Sequence, residues 1–427
     1  MEYVRTVLAN GMRVLVAPMP ETRSVSITMY VGAGSRAESK ANAGTSHFLE
    51  HMLFKGTAKR PSAAEISYAV EALGGSVNAS TDREVTIFTA RVPARHYLIA
   101  LDVIADMIRA PLLRDEDIAT ERNVVIEEIR MYHDQPQDRV HTLVDELLYP
   151  SHPLGWEIAG REQVVRALAA PDLRAFMEAG YAPGRMVIAL AGKLDPAEAR
   201  TAVDEHLGRL GSRPGLPFAR APKPARSRTK VLAKSGKQLH VCVGWRGVPQ
   251  QHPDKWTFDM LNAVLGEGMS SRLFLELREK RALAYDVHSY EANFSDVGHL
   301  VIYAGVAPER AKEALAVALA EVARLRDEPV GEVELARVKD FVKGHIDLRL
   351  EGTAGVAGWL AGQEMFYDRV RSAEEISQII DGVGAADIQR VARQYLRPEL
   401  AYVAAIGPRI AIAPLAAPEP ELMEVAS

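Results

Sequence analysis

The sequence has little cysteine, no long apolar run and no large excess of charge, and each absence excludes a class of protein. One cysteine, Cys242, excludes an intrachain disulfide and a cysteine-rich metal cluster. No stretch of about 18 apolar residues is free of charge, so no membrane partner is expected. The 51 basic and 56 acidic residues give a net charge of −5, which offers no bulk attraction to nucleic acid. The N-terminus has no apolar core followed by a small-residue cleavage site, and we expect a cytoplasmic protein.

The length and the composition indicate a globular protein with more than one domain. The chain has 427 residues, of which 48% are hydrophobic and 25% are charged. Residues 212–228 contain four prolines, five basic residues and no acidic residue, which predicts an exposed, semi-extended linker. A nucleic-acid-binding arm is the alternative, and the acidic balance of the whole chain argues against it. We therefore predict domains at residues 1–211 and 229–408, followed by a tail at residues 409–427.

The two halves of the chain resemble copies of one fold. Pro93 and Pro308 each precede a helical pattern, and Gly192 and Gly407 each end an apolar strand pattern. Both pairs are separated by the same offset of 215 residues, which favours a duplication. Coincidence in an alanine-rich chain is the alternative, because each match alone is weak.

The spacing of apolar residues predicts an α+β fold with two homologous domains. Each domain is expected to have a mostly antiparallel sheet with helices packed on one face. The elements predicted in the first half are strands at Met12–Ala17, Ser24–Val31, Glu84–Val92 and Met186–Ala191, and helices at Ala43–Phe54, Ala63–Leu73, His96–Ile108, Asp115–Met131 and Asp172–Glu178.

One short motif has the spacing of a metal site. Residues 47–51 read His-Phe-Leu-Glu-His, and in a helix His47 and His51 lie one turn apart on the same face, beside Glu50. Two imidazoles at this spacing can bind one divalent ion, while the carboxylate reaches a water on that ion. The arrangement is the inverted form of a zinc peptidase signature. The alternative is a pair of surface histidines on an amphipathic helix.

A third ligand is expected from the acidic helix predicted at residues 115–131. Glu121 and Glu128 are seven residues apart and share one helix face, whereas Glu127 points about 100° away from Glu128. A solvated acidic face is the alternative, and Val124 and Val125 argue against it because they suggest a buried helix. Periodicity leaves both Glu121 and Glu128 open as ligands.

Several longer motifs resemble the pitrilysin/insulinase family of zinc metallopeptidases, in particular its mitochondrial processing peptidase-like branch and the bacterial homologues. The motifs are LANGMRVLV, HFLEHMLFKGT, GGSVNASTDREVT, ERNVVIEEI and, in the second half, LGEGMSSRLFLELREKRALAYDV. The resemblance implies one Zn²⁺ per chain, with His47, His51 and Glu128 as ligands and Glu50 as the catalytic base. It also implies that Glu121 supports the histidine ligands and catalysis.

The resemblance assigns further roles outside the metal motif. Arg278 and Tyr285, in the second half, match an Arg and Tyr pair that stabilises the oxyanion in that family. Asn78 and Ala79 match a strand edge that binds extended peptides, a mode known as strand addition. An ordinary turn-to-strand role is the alternative for Asn78 and Ala79.

The second half lacks a metal motif of its own. With the offset of 215, the positions of His47 and His51 fall on Asn262 and Gly266, and the position of Glu128 falls on Lys343. We therefore predict that the first half binds the metal and that the second half closes the site.

The expected function is that of a zinc endopeptidase for extended or unfolded peptides. The family assembles four such domains into a clamshell, so a chain with two is expected to dimerise. A homodimer is favoured because the chain keeps both the zinc motif and the Arg/Tyr pair, and a heterodimer with a related subunit is the other possibility. The alternatives in function are a catalytically silent structural subunit and a metal-dependent hydrolase of another substrate.

Overall fold

A computed structural model of the chain describes residues 1–224 and 229–408. The predicted tail and the last residues of the predicted linker therefore lie outside the described residues. The strands of the described residues are β1 (Val4–Val7), β2 (Arg13–Pro18), β3 (Ser24–Val31), β4 (Ser76–Thr81), β5 (Thr86–Pro93), β6 (Met186–Gly192), β7 (Thr229–Ala233), β8 (Leu239–Gly247), β9 (Ala284–Asn293), β10 (Gly298–Val306) and β11 (Tyr402–Gly407).

Helices occupy most of the sequence between the strands. The α-helices of the described residues are α1 (Thr45–Leu53), α2 (Ala63–Glu71), α3 (Tyr97–Arg109), α4 (Asp115–Asp134), α5 (Pro136–Leu148), α6 (Glu162–Ala167), α7 (Ala170–Gly180), α8 (Pro196–Leu207), α9 (Lys255–Leu265), α10 (Ala311–Asp327), α11 (Glu332–Leu350), α12 (Thr353–Tyr367), α13 (Ala373–Gly382) and α14 (Ala385–Tyr395). A short π-helical segment spans Phe274–Glu279.

The strands form two mostly antiparallel sheets. The first sheet has the order β1-β2-β6-β3-β5-β4, and the second has the order β7-β11-β8-β10-β9. Each sheet contains one parallel pair, β2 with β6 and β7 with β11, and the other neighbours are antiparallel. The predicted α+β class is thereby confirmed.

The chain divides into two compact units whose sequence segments alternate. Unit 1 contains residues 1–130, 157–219 and 347–372. Unit 2 contains residues 131–156 and 220–346 and the described part of the chain from Ala373 onward. Each unit thus includes one helix from the other half of the sequence, α12 in unit 1 and α5 in unit 2. The domain bounds drawn from the sequence stay a prediction, because a duplication and a unit of contacts divide a chain by different criteria.

In unit 1 the sheet is covered by helices on both faces. Successive residues of a strand point to opposite faces, so Val14 and Val16 of β2 face one layer while Leu15 and Ala17 face the other. The first pair is buried in a core that includes residues of α1 and α3. The second pair is buried against Val356 and other residues of α12. The expectation of helices on one face only is therefore corrected, because α12 comes from the other half of the sequence and no local pattern indicates that it packs on this sheet.

Polar contacts also attach α12 within unit 1. Glu364 is fully buried and accepts two hydrogen bonds from the Arg5 guanidinium, at 3.0 and 2.8 Å. The hydroxyl groups of Thr353 and Ser26 are 2.8 Å apart. Because a buried carboxylate needs a charged partner, the pairing with Arg5 fixes the position of α12 against the strands of the first sheet.

Unit 2 has the same two-sided arrangement. Cys242, Tyr303 and Ala404 lie side by side on three adjacent strands and are buried with apolar residues of α5. On the opposite face, α9 contacts β9, where the Ser289 hydroxyl donates a hydrogen bond to Asn262 at 2.7 Å.

Part of the predicted linker is attached to unit 1. The described residues 212–224 form no helix or strand, as expected for a semi-extended segment. The buried guanidinium of Arg36 nevertheless donates to the carbonyl oxygen of Ala219 at 2.7 Å, and Arg185 lies 4.6 Å from the ring centroid of Phe218.

No helix of the described residues is both long and apolar enough to cross a membrane.

Candidate metal centre

Helix α1 carries the His-x-x-Glu-His motif on the side that faces away from the core. Phe48 and Leu49 are fully buried in the core of unit 1. His47, Glu50 and His51 are only partly buried and lie on the other side of the helix. The 3.6-residue period of the helix therefore separates the packing residues from the polar residues.

Helix α4 brings two carboxylates to the same place. Val125 and Ile129 bury one side of this helix in the core of unit 1. Glu121 is 5% exposed, and the side chain of Glu128 is 25% exposed. Glu127 is different, because its side chain is 71% exposed and pairs with a guanidinium on the helix surface. Of the two adjacent glutamates, Glu128 is the one beside the motif.

His47, His51 and Glu128 converge on one point. Nε2 of His47 is 3.7 Å from Oε1 of Glu128, and Nε2 of His51 is 3.6 Å from Oε2 of Glu128. One ligand atom from each of the three lies within 4.8 Å of the other two. Among residues 1–224 and 229–408, this is the one group of three or more His, Cys, Asp or Glu side chains with such a geometry.

The donor set and its spacing fit a zinc ion. Two ligands that are each 2.0–2.1 Å from a tetrahedral zinc lie about 3.4 Å apart, close to the separations found here. Burial, followed by the charge of His51, lowers the pKa of His47 to about 4, so this imidazole is neutral and able to bind a metal at pH 7. Three protein ligands leave a fourth position open, which is typical of catalytic zinc sites.

A chain of polar contacts orients His51. Its Nδ1 is 2.9 Å from Oε1 of Glu121, so its Nε2 remains available on the side of Glu128. The Lys55 ammonium is 2.5 Å from the other oxygen of Glu121. Burial favours protonation of Glu121, but the hydrogen bonds with His51 and Lys55 outweigh it and hold its pKa below the usual value. A carboxylate behind a ligating histidine fixes the orientation of the ring.

Glu50 lies on the same face of α1 as the candidate ligands His47 and His51 but contacts a different partner. Its Oε2 accepts a hydrogen bond of 2.7 Å from the hydroxyl of Thr81, the last residue of β4. Burial raises the pKa of Glu50, against the opposing effect of that hydrogen bond. A carboxyl group with a raised pKa is suited to take up and release protons near neutral pH.

Arg278 and Tyr285 lie together in unit 2. Cζ of Arg278 is 4.9 Å from the ring centroid of Tyr285, which is 77% exposed. Arg278 belongs to the π-helical segment, and Tyr285 is the second residue of β9, the edge strand of the second sheet. The structure therefore brings these two residues to each other, while the metal-binding group belongs to unit 1.

Asn78 and Ala79 lie on β4, which is the last strand of the first sheet. The exposed Asn78 side chain accepts a hydrogen bond of 2.9 Å from the backbone N–H of Ala79. Because β4 has a neighbouring strand on one side only, its other edge has the geometry that strand addition requires.

In the second half of the chain, the residues at the positions that correspond to the candidate ligands have other partners. Asn262 is 6% exposed and accepts a hydrogen bond from Ser289. Lys343 forms an ion pair with Asp381 at 2.8 Å. The described part of unit 2 therefore contains no counterpart of the metal-binding group at these positions.

Comparisons with known proteins agree with the geometry. The model of the insulinase family, peptidase family M16, matches residues 13–162, and the model of the peptidase M16 inactive domain matches residues 167–342. An uncharacterized zinc protease of Streptomyces coelicolor is 35% identical over 93% of this chain and 89% of its own length. The chain belongs to the insulinase family of peptidases, family M16. The uncharacterized zinc protease YmxG of Bacillus subtilis is also 35% identical, over 92% of this chain and 95% of its own length.

Solved structures share the fold of this M16 chain. A protease from Helicobacter pylori has a TM-score of 0.89 at 24% identity and covers 95% of this chain and 99% of its own. An M16 inactive domain from Pseudomonas fluorescens also has a TM-score of 0.89, at 20% identity, with coverages of 96% and 98%.

Three residues around the candidate metal centre of this M16 chain were not predicted from the sequence. They are Lys55 beside Glu121, Thr81 beside Glu50, and Glu38, whose carboxylate contacts the first turn of α1. Lys55 follows His51 by four residues but lies beyond the end of α1 at Leu53, so helical spacing does not indicate its contact with Glu121. No local pattern indicates Thr81 or Glu38, because each contact joins separate elements.

Proposed function

We propose that this protein is a zinc-dependent endopeptidase that hydrolyses extended or unfolded peptides. The observation that carries the proposal is the convergence of His47, His51 and Glu128 beside a carboxyl group, Glu50, that does not belong to the ligand group. A metal bound only for structural reasons needs neither an open coordination position nor such a carboxyl group. The names of the relatives, which call them zinc proteases, support the same function.

The residues of the chain have separate roles in this proposal. The triad of His47, His51 and Glu128 would hold the ion, which when bound would polarise the scissile carbonyl and lower the pKa of a coordinated water to about 7. Glu50 takes the proton of the attacking water and later gives it to the leaving amine. Glu121 keeps the ring of His51 oriented, and the exposed edge of β4 at Asn78 and Ala79 pairs with the substrate backbone.

Hydrolysis of a quenched peptide tests the proposal, with the wild-type protein measured beside Glu50→Gln. We expect a chelator to abolish cleavage and zinc to restore it. Glu50→Gln is expected to bind zinc but to lose at least about 100-fold in kcat, since a positioned acid–base group contributes that much or more. Equal cleavage by the two proteins, or no cleavage by a zinc-loaded wild type, would contradict the proposal. The second result would favour a catalytically silent subunit.

We further propose a homodimeric clamshell in which Arg278 and Tyr285 of one chain serve the metal site of its partner. This follows from the resemblance to a family with four such domains and from the presence of both residue sets in one chain. A mixture of Glu50→Gln and Arg278→Ala chains tests it, because each mixed dimer would contain one intact site. We expect the mixture to recover activity that neither variant has alone. An active monomer in light scattering would refute the dimer.

The cytoplasm remains the compartment that we propose. The support is the single cysteine, Cys242, which is fully buried in unit 2 and has no second cysteine to pair with. Stable proteins of oxidising compartments more often carry disulfides. Cell fractionation with an antibody against the protein measures this directly.

A further inference from the structure

The first turn of helix α1 is held by a carboxylate from outside the helix. Oε2 of Glu38 accepts a hydrogen bond from the backbone N–H of Gly44 at 2.7 Å. Its Oε1 accepts two more, from the backbone N–H and the hydroxyl of Ser46, at 2.7 and 2.6 Å. Glu38 is 6% exposed, so these three donors occupy both oxygens of a buried side chain. His47, the first metal-ligand candidate, directly follows Ser46.

Helix α1 has no side chain of its own that could replace this carboxylate. Its N-cap is Gly44, which has a φ of 103° and makes no side-chain cap hydrogen bond. A Cβ at this position would lie 2.7 Å from the carbonyl oxygen of Ala159 and 2.9 Å from Cα of Gly160, so an ordinary capping residue does not fit. The backbone N–H of Thr45 donates to the carbonyl oxygen of Asn42 at 3.1 Å, whereas those of Gly44 and of the fully buried Ser46 donate to Glu38.

The segment that carries Glu38 is itself fixed to the turn after β4. The backbone N–H of Ser35 donates to the carbonyl oxygen of Asp82 at 3.1 Å, and that of Arg36 donates to Arg83 at 2.6 Å. The last residue of β4, Thr81, donates to Glu50. A continuous series of contacts therefore runs from the end of β4 through Glu38 to the start of α1.

We propose that Glu38 is a positioning residue, whose carboxylate fixes the start of α1 so that His47 meets its co-ligands and Glu50 meets Thr81. The inference rests on the proposed function where it concerns catalysis, and on the geometry of the triad where it concerns metal binding. Side chains of a functional site have to be held to within about 0.5 Å, which a freely fraying first turn does not achieve. A cap that is only structural would stabilise the fold without affecting the metal.

Glu38→Gln tests this role, because glutamine keeps the size of the side chain but presents an NH₂ group where an acceptor is needed. The matched control is Glu65→Gln. Glu65 accepts hydrogen bonds of 2.9 Å from the N–H and the hydroxyl of Ser62 at the start of α2, a helix without metal-ligand candidates. Both substitutions remove one carboxylate from a helix cap, and only Glu38 caps the helix that carries His47 and His51.

The readout is the zinc dissociation constant of the full-length protein, measured by competition with a chelator, together with the urea midpoint of the metal-free protein. We expect Glu38→Gln to weaken zinc binding about 10- to 100-fold, the range for residues that orient metal ligands, and Glu65→Gln to change it less than about twofold. A Glu38→Gln protein that loses stability but keeps its zinc affinity would overturn the proposal.

Ser46→Ala is the second variant, and it keeps the test decisive if Glu38→Gln does not fold. It removes one of the three hydrogen bonds and leaves both backbone donors in place. We expect a smaller loss of zinc affinity, about 3- to 10-fold, with a changed visible spectrum of the Co²⁺-substituted protein. Unchanged zinc affinity and an unchanged spectrum would refute the role of Glu38. These readouts need no peptide cleavage, so a wild type that binds zinc but cleaves nothing refutes the proposed function alone.

Discussion

Replacing Lys55 by methionine tests how far the zinc affinity depends on a residue that touches no ligand. The Lys55 ammonium is 2.5 Å from Oε2 of Glu121, and Oε1 of Glu121 is 2.9 Å from Nδ1 of His51. Methionine keeps most of the side-chain volume but removes the charge. Glu121, with only 6% of its side chain exposed, is then left with a histidine as its one strong partner among these residues.

The expected magnitude follows from the burial of the two partners. Removing one partner of a fully buried ion pair costs about 3–5 kcal/mol, and an exposed pair contributes about 0–1 kcal/mol. The side chain of Lys55 is 31% exposed, so an intermediate loss of about 2 kcal/mol in the free energy of unfolding is expected. Because Glu121 orients His51, we also expect zinc to bind about 10- to 100-fold more weakly.

The assay is a chelator competition on Lys55→Met beside Lys59→Met. The Lys59 ammonium is 2.6 Å from Oδ1 of Asp102, a similar distance, but its side chain is 57% exposed and Asp102 contacts no ligand candidate. Lys59→Met is expected to leave zinc affinity unchanged. Without Lys55 the pKa of Glu121 rises, so the difference from wild type should widen as the pH falls. Equal zinc affinities for both variants would refute the reasoning.

Two further predictions concern protonation. Thr81→Val removes the donor to Glu50, which raises the pKa of Glu50, so the acid limb of the kcat/KM profile should move up by about one pH unit; Ser80→Ala, next to it and exposed, should not move it. In unit 2, burial and then the charge of a neighbouring histidine lower the pKa of His141 to about 4. Above pH 6.5 the histidine is neutral in both the folded and the unfolded state. Between pH 6.5 and 4 only the unfolded state takes up the proton, so up to about 3 kcal/mol of the free energy of unfolding is lost. His141→Gln should reduce this loss in the free energy of unfolding, measured by urea titration of the metal-free protein at each pH. An unchanged dependence on pH would contradict the assignment.

Much of the first sheet and its helices could be predicted from local pattern. The strand at Ser24–Val31 has the predicted bounds, and the strand predicted at Met186–Ala191 ends one residue later, at Gly192. The helix predicted at Asp115–Met131 extends to Asp134. The spacing of apolar residues indicates buried strands and amphipathic helices, so the sequence alone predicted that these elements exist.

The prediction that Val124 helps to bury the acidic helix was wrong. Val124 is 49% exposed, and the residues that bury α4 include Val125, Ile126 and Ile129. The acidic helix is therefore half-solvated, with Glu127 on its open side and Glu121 on its buried side. Helical periodicity gives the angle between two side chains around the helix axis, but it does not show which side of the helix faces the core.

The sequence by itself determined the candidate metal-binding helix, since His47, Glu50 and His51 lie within five residues and their relation is set by helix geometry. It also determined that the second half lacks these ligands. Tertiary structure decided the rest. It placed Glu128 rather than Glu127 beside His47 and His51, brought Thr81 and Glu38 to α1, and paired Arg5 with Glu364 across more than 350 residues. These contacts join separate elements, and no local period encodes which elements of a folded chain become neighbours.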